Sequence, residues 1–306
     1  MHWILQNNLF NEAAYQTLLD TLETFGYPYS IHKVVPFIGE LMPVPELDED
    51  NVICMGSYSM RHAAVKHGWT PGVFDLEPYD FTVQMQHWGE YMLNFDSVVC
   101  PFEDANFTDD LMFIRPIHDS KVFAGKVFSK GEFYDWKRKV VVLEEDHGTS
   151  LTRSTLIQLS VPKVIWSEYR FWVVNGSIVT ASMYKRGTQV IYQELSSSYD
   201  QAYFEFVRAR IKEWQPDQAF VIDIADTPDG IKVVEINTLN SCGFYAANIP
   251  RLVNSLVDAF DVSLSQSPAP GTKRYIQIVA DGCGGHYDYF GEFDCSHGYT
   301  WIHMEL

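Results

Sequence analysis

Three short stretches carry side chains whose types and spacing suit metal and phosphate chemistry. In "FVIDIADTPDGIKVVEIN", Asp223 precedes the pair Glu235-x-Asn237 across a Pro-Asp-Gly turn. Two carboxylates and an amide oxygen are the donors that a hard divalent cation such as Mg²⁺ takes, with water and substrate phosphates completing its shell. In "SEYRFWVVNGSIVTASMYK", Glu168 and Arg170 are followed by Lys185 beyond an Asn-Gly turn. Further upstream, "FIRPIHDSKVFAGKVFS" offers Arg115, then Lys121 and Lys126 around a short loop. Cations contributed by separate strands, with the carboxylates and amide, suit a nucleotide-plus-metal site assembled between sheets. The Gly-rich dinucleotide motif and the phosphate-binding P-loop motif are both missing from the sequence, so neither of those sites is supported.

Turn chemistry sets which of these side chains share a face. The Pro-Asp-Gly turn reads as a three-residue hairpin loop with Gly230 in the left-handed conformation. Thr227 then pairs with Ile231, and Asp223 lies opposite Glu235. Val221, Asp223, Val233, Glu235 and Asn237 share one face, with Ile222, Ile224, Val234 and Ile236 on the other. Like charges directly opposed destabilise a sheet, so either a cation offsets them or water screens an exposed face. In the second hairpin Asn175-Gly176 signals a two-residue turn pairing Val174 with Ser177. That register puts Glu168, Arg170, Trp172 and Lys185 on one face. Tyr169, Phe171, Ile178, Thr180 and Tyr184 fall on the other. The charged face suits a polyphosphate, or else cross-strand ion pairs on an exposed surface.

These hairpins sit in a chain of 306 residues, 46% hydrophobic, long enough for about two domains of ~150 residues each. Residues 1–104 alternate apolar runs with helical patterns: strands at "HWILQ", "YSIHKVV", "NVICMG" and "DSVVC", helices over 11–25, 57–67 and 81–93. This reads as an α/β layer with a mostly parallel sheet. The turn at Gly56-Ser57 is an anion cradle at a helix N-terminus or an ordinary capped turn. Residues 105–262 read as an α+β domain of antiparallel sheets, with helices over 199–214 and 249–260. A Ser/Pro-rich linker and a small β-rich segment occupy 263–306. The net charge of −18 opposes binding to a nucleic-acid polymer or anionic lipid. Five thinly spread cysteines, with no signal-like N-terminus and no long apolar run, read as a cytoplasmic protein.

The order of motifs, from an α/β domain through "FIRP", a lysine-containing loop, "STLIQLSVP", "EYRFWVVNGSIVTASMYK" and "FVIDIA" to "VVEIN", resembles the ATP-grasp superfamily of carboxylate-amine ligases over residues 1–262. The resemblance implies antiparallel sheets sandwiching ATP, with Mg²⁺ held by Asp223, Glu235 and Asn237. It implies that Glu168, Arg170 and Lys185 face the nucleotide phosphates and an acyl phosphate, and that the backbone at Gln158, Leu159 and Ser160 meets adenine. Arg115-Pro116 stands where the superfamily usually carries Lys-Pro, similar to a divergent clade with arginine there. Which of Lys121 and Lys126 reaches phosphate stays open, because the usual glycine-rich flap is replaced by "HDSKVFAGK".

The implied reaction is ATP-dependent amide formation between a small-molecule or peptide carboxylate and an amine. Arg170 and Lys185 are the expected catalytic cations. Asn240 is expected beside the acyl or amine pocket, with Ser241 and the Gly243 backbone, or else in a satisfied turn. A phosphotransferase and a non-catalytic ATP-binding module are the alternatives on the same fold. Cys242 reads as a buried hydrophobe rather than a nucleophile. Cys283, His286, Cys295 and His297 have spacings that a zinc site tolerates, and equally fit an ordinary turn segment.

Overall fold

The computed structural model describes residues 1–7, 13–117, 123–141, 151–262, 286–287 and 293–294. Met1–Asp261 forms one compact unit and Val262–Leu306 a second. The first unit opens with β1 (His2–Gln6), α1 (Ala13–Phe25), β2 (Tyr29–Val34), β3 (Leu41–Met42), β4 (Asn51–Met55), α2 (Met60–His67), β5 (Thr70–Gly72) and α3 (Phe81–Trp88). Their strands make a sheet in the order β3-β2-β1-β4-β5, parallel except for β3. Every residue of β1 and β4 is buried, as strands covered on both faces require.

Next come β6 (Val98–Pro101), β7 (Leu111–Pro116), β8 (Lys126–Ser129), α4 (Lys130–Val141) and β9 (Leu156–Ser160). They build an antiparallel sheet ordered β6-β9-β7-β8. The strand read at "DSVVC" therefore pairs with β9 rather than with the parallel sheet. Helix α4 lies in a region read as strands and turns. Its signature is a capping box: the Ser129 backbone N–H donates to Glu132 Oε2 (2.9 Å), and the Glu132 N–H donates to Ser129 Oγ (3.4 Å). That exchange holds the Glu132 carboxyl below its usual pKa. Phe133 anchors the helix, stacking on Phe107 at 4.4 Å between centroids.

The last part contains β10 (Ser167–Val174), β11 (Ser177–Arg186), β12 (Gln189–Glu194), α5 (Gln201–Glu213), β13 (Ala219–Thr227), β14 (Gly230–Asn237) and α6 (Ile249–Phe260). Its antiparallel sheet runs β12-β11-β10-β13-β14. One face packs Phe171, Val173, Phe220, Ile222 and Ile224 against Phe204 and Val207 of α5. Burying both sides of that layer, at about 25 cal/mol per Å² of apolar surface, fixes the sheet and leaves its other face for polar groups. In the second unit β15 (His286–Tyr287) pairs antiparallel with β16 (Phe293–Asp294). The rest of the proposed zinc set lies outside the described residues.

Candidate functional site

The polar face of the β12-to-β14 sheet owes its geometry to β-bulges. In the β13–β14 hairpin the loop is Pro228-Asp229, so Thr227 pairs with Gly230 and not with Ile231 as the three-residue loop predicts. Gly230 adopts φ +92°, a conformation that side chains disfavour. A one-residue register shift leaves Val234 unpaired and sets Asp223 opposite Glu235 and Val221 opposite Asn237. The same shift corrects a face assignment: Val233, not Val234, packs in the core with Ile224 and Ile236.

Two shifts act in the β10–β11 hairpin. The turn pairs Val174 with Ser177 as expected, with Asn175 and Gly176 both at positive φ. Val179 and Tyr184 are then the extra residues, so Trp172 pairs with Thr180, Arg170 with Ser182 and Glu168 with Lys185. Thr180 and Tyr184 were expected on the core face. Instead Thr180 Oγ1 accepts the Asn248 N–H (2.9 Å) on the polar side, and the Tyr184 hydroxyl donates to Glu168 Oε2 (3.0 Å). An inserted residue reverses the alternation beyond it, which no local pattern in "NGSIVTASMYK" announces.

Asp223, Glu235 and Asn237 converge, and the repulsion between the carboxylates is offset from within the protein. Arg170 holds Asp223 by two parallel bonds, Nε to Oδ1 at 2.8 Å and Nη2 to Oδ2 at 2.7 Å. Arg115 Nη1 meets Glu235 Oε2 at 2.8 Å. The Asn237 amide nitrogen donates to Asp223 Oδ2 (3.2 Å) and Glu235 Oε1 (3.1 Å). Burial works against charge on Arg170, yet the Asp223 carboxylate more than compensates and raises its pKa. Burial pushes Asp223 upward, and Arg170 opposes that shift. For Glu235, burial is outweighed by Arg115 and Asn237, so its carboxyl is held below the ordinary range.

Among the described residues no three His, Cys, Asp or Glu side chains cluster as a metal site. The donors here are two carboxylates and one amide. They fit a hard divalent cation provided that Arg115 releases Glu235 and the Asn237 amide turns to present Oδ1, since carboxylates and amide oxygens are its preferred ligands.

Glu168 accepts from Lys185 Nζ at 2.6 Å, and the lysine side chain remains 44% exposed. Lys126 starts β8 and lies 4.9 Å over the Phe128 ring, exposed to solvent. Lys121 lies outside the described residues. On β9, Gln158 pairs with Arg115 of β7, is 1% exposed, and keeps a buried Oε1 without a hydrogen-bond partner among the described residues. The Leu159 side chain belongs to the apolar cluster with Ile114, and Ser160 Oγ donates to Asn94 Oδ1 (3.2 Å).

Asn240 departs from its expected place beside a substrate. It is 1% exposed, and its Nδ2 donates to the carbonyls of Cys54 (2.6 Å) and Gly72 (3.2 Å). Its Oδ1 accepts from Phe74 N–H (2.8 Å) and the Thr238 hydroxyl (3.1 Å). With all four positions filled, the amide has no group left to meet a substrate. It ties the exit of β14 to the parallel sheet. The Gly56-Ser57 turn belongs to the same joint: the Gly56 N–H donates to the Asn240 carbonyl (2.8 Å) and the Ser57 N–H to Gln6 Oε1 (2.6 Å). These two donors are therefore engaged within the chain.

Cys242 is buried beneath Trp172, whose Nε1 donates to Sγ at 3.3 Å, and burial pushes the thiol up to about 11. Nearby stands a residue that the sequence pattern does not single out. Tyr245, at φ +50°, stacks on Tyr184 at 5.0 Å and lies 4.8 Å beneath the Arg170 guanidinium. A bulky residue at positive φ is strained, and such strain collects at functional sites.

Residues 42–256 match the family model for an ATP-grasp domain, the third family of its clade. The chain belongs to that family. No curated protein matches it. Among solved structures, a RimK domain ATP-grasp protein from Sphaerobacter thermophilus DSM 20745 is 12% identical, with 85% of this chain and 99% of that one covered and a TM-score of 0.55. D-alanine–D-alanine ligase from Bacillus anthracis is 11% identical, covering 87% and 99%, with a TM-score of 0.56. D-cycloserine synthetase DcsG is 12% identical, covering 84% and 99%, with a TM-score of 0.53. The ATP-grasp fold is thus the architecture of this chain, with two antiparallel sheets and a mixed, mostly parallel one. In this family member, Arg115 occupies the strand position expected from its "FIRP" motif, facing β14 across the cleft.

The joint predicts that Asn240→Ala lowers stability by roughly 3 kcal/mol or more, because it strands buried backbone groups that cost about 1–3 kcal/mol each; thermal unfolding measures it. Cys242 is expected to resist alkylation at neutral pH in the native protein and to react once the chain is denatured, as thiol labelling read by mass spectrometry will show.

Proposed function

We propose that this protein is an ATP-dependent ligase that joins a carboxylate to an amine through an acyl phosphate. The observation that carries the reading is the convergence of Asp223, Glu235 and Asn237 on one sheet face with Arg170, Lys185 and, from the opposite sheet, Arg115. In this reading residues 105–262 hold ATP between the antiparallel sheets, and residues 1–104 form the preceding α/β domain. Residues 263–306 form an appended segment.

Asp223, Glu235 and Asn237 hold Mg²⁺, which neutralises phosphate charge when bound. The chain's own cations do the rest. Arg170 is buried and fixed by Asp223, so it presents a charge that needs no reorganisation as negative charge shifts towards the leaving ADP. Lys185, half out of the protein on Glu168, supplies a mobile charge to the transferred phosphoryl group. Arg115 and either Lys121 or Lys126 face the phosphates from the opposite sheet. The backbone of 158–160 meets adenine, and the buried Gln158 Oε1 offers an acceptor on the same strand.

In the first step a substrate carboxylate oxygen bonds to the γ-phosphorus as the bond to the β-phosphate oxygen breaks, releasing ADP. In the second an amine nitrogen attacks the acyl carbon, phosphate leaves, and the nitrogen loses a proton. Such in-line transfer needs positioning and charge neutralisation rather than a side-chain nucleophile, which agrees with the inert setting of Cys242. The acid and amine are free metabolites or peptides in a cytoplasmic setting, since a net charge of −18 disfavours a nucleic-acid polymer.

A screen of amino acids and peptides with Mg-ATP, followed by ADP release and mass spectrometry, tests the reading. It expects an amide product plus free phosphate. A phosphorylated product without amine dependence points to a phosphotransferase instead, and no ADP with any mixture points to a binding module. With the active substrate pair, Glu235→Gln is expected to lower kcat by about 100-fold or more, the scale of losing one transition-state charge contact, while the variant stays folded by circular dichroism.

A further inference from the structure

Arg115 stands on β7 of one antiparallel sheet and Glu235 on β14 of the other, so their 2.8 Å ion pair spans the cleft between those sheets. Glu235 is also one of the oxygen donors assigned to a divalent cation, and the present inference rests on that assignment. A guanidinium and a divalent cation compete for this carboxylate: the two positive charges repel, and Arg115 already occupies Oε2.

The two arginines of the site are held differently. Arg170 is buried and doubly bonded to Asp223. Among the described residues Arg115 makes a single bond, to Glu235, and both partners of that bond are partly exposed, at 22% and 30%. A second observation gives Arg115 somewhere else to go. Its cross-strand neighbour on β9 is Gln158, whose Oε1 is buried with no hydrogen-bond partner. A buried acceptor left unpaired is costly, and an opposed pair on adjacent strands lies within side-chain reach. The planar fork of arginine has five N–H donors, enough to hold a phosphate oxygen and the Gln158 oxygen together. The compact ammonium of lysine is a point charge without that planar geometry.

We propose that Arg115 is a latch: it occupies Glu235 in place of a cation while the cleft lacks nucleotide, and it turns to phosphate and to Gln158 Oε1 when metal and nucleotide bind. The site therefore takes up metal poorly by itself and strongly with nucleotide. Linkage makes this reciprocal, so metal strengthens nucleotide binding by the same factor that nucleotide strengthens metal binding. Arg115 acts here as a positioning residue whose effect is visible without turnover.

Mn²⁺ serves as the probe, its free concentration read by electron paramagnetic resonance with the full chain, in the presence and absence of ADP. Arg115→Gln is expected to bind Mn²⁺ alone about tenfold more tightly than the wild type, a change of about 1.4 kcal/mol, and to lose most of the strengthening that ADP confers. Adding Glu235→Gln to that variant should return binding to the weak level. Arg115→Lys keeps a positive charge and should lie between wild type and Arg115→Gln, which keeps the test available should the neutral variant unfold. If neither Arg115 variant binds Mn²⁺ more tightly than the wild type while Glu235→Gln weakens binding, the latch is overturned and the metal assignment stands. If Glu235→Gln also leaves Mn²⁺ affinity unchanged, the metal assignment falls and the latch falls with it.

Discussion

Two carboxylates forced face to face on adjacent strands are the constraint around which the site is arranged. Asp223 and Glu235 are opposed in register, with Asp223 almost completely buried. At cross-strand Cβ separations of about 4.5–5.5 Å, like charges work against the sheet that carries them. The chain answers with a buried guanidinium from the neighbouring strand β10, a second from the facing sheet, and an amide that donates to both acids. Removing one member of such a set leaves a charge without its partner, which commonly costs more than the set contributes as a whole. The arrangement is therefore conditional: each group is tolerable only because the others are present.

Holding that set demands rigid support, and the support comes from outside the charged face. The apolar side of the same sheet is closed by α5 through Phe204 and Val207. The chain leaving Asn237 is captured by Asn240, which bonds carbonyls at both β4 and β5 of the parallel sheet and fixes the start of the following loop. That loop lies against β11, where the Thr180 and Ser182 hydroxyls accept its N–H groups (2.9 and 3.2 Å). The inversion of β11 after Val179 is what turns these hydroxyls towards the loop. A bulge that looks like an irregularity of one strand thus determines where Tyr245 meets Arg170.

Much of this was legible from residue types. The opposition of Asp223 and Glu235, the Asn-Gly turn, the antiparallel character of the later sheets and the parallel character of the first all follow from alternation and turn chemistry. The faces of Val233, Thr180 and Tyr184 did not, because a bulge is set by how a strand fits both neighbours and not by its own pattern. Asp223 reached Glu235 even though the loop register differed by one residue, since Val234 absorbs the difference. Helix α4 was hidden for another reason: aromatic residues at 133, 134 and 136 resemble a strand run, and only the Ser129–Glu132 exchange marks a helix start. The polar triplet after β14 was ambiguous because a side chain's partners across 186 residues of sequence separation, as between Asn240 and Cys54, leave no local trace.

Arginine at position 115 suits this charge set better than lysine does. Without ligand, Asp223 and Glu235 face Arg170 and Arg115, two negative charges against two positive, so the described core of the site is balanced. A divalent cation entering by itself would tip that balance to an excess of two positive charges in a place partly shielded from water. A polyphosphate entering by itself would tip it the other way. Only the pair arriving together keeps the local charge near balance, provided that one of the resident cations can turn from carboxylate to phosphate. Arg170 cannot do so without abandoning a fully buried Asp223. Arg115 can, because its single bond lies at the edge of the cleft, and because the guanidinium stays charged in either position whatever its surroundings.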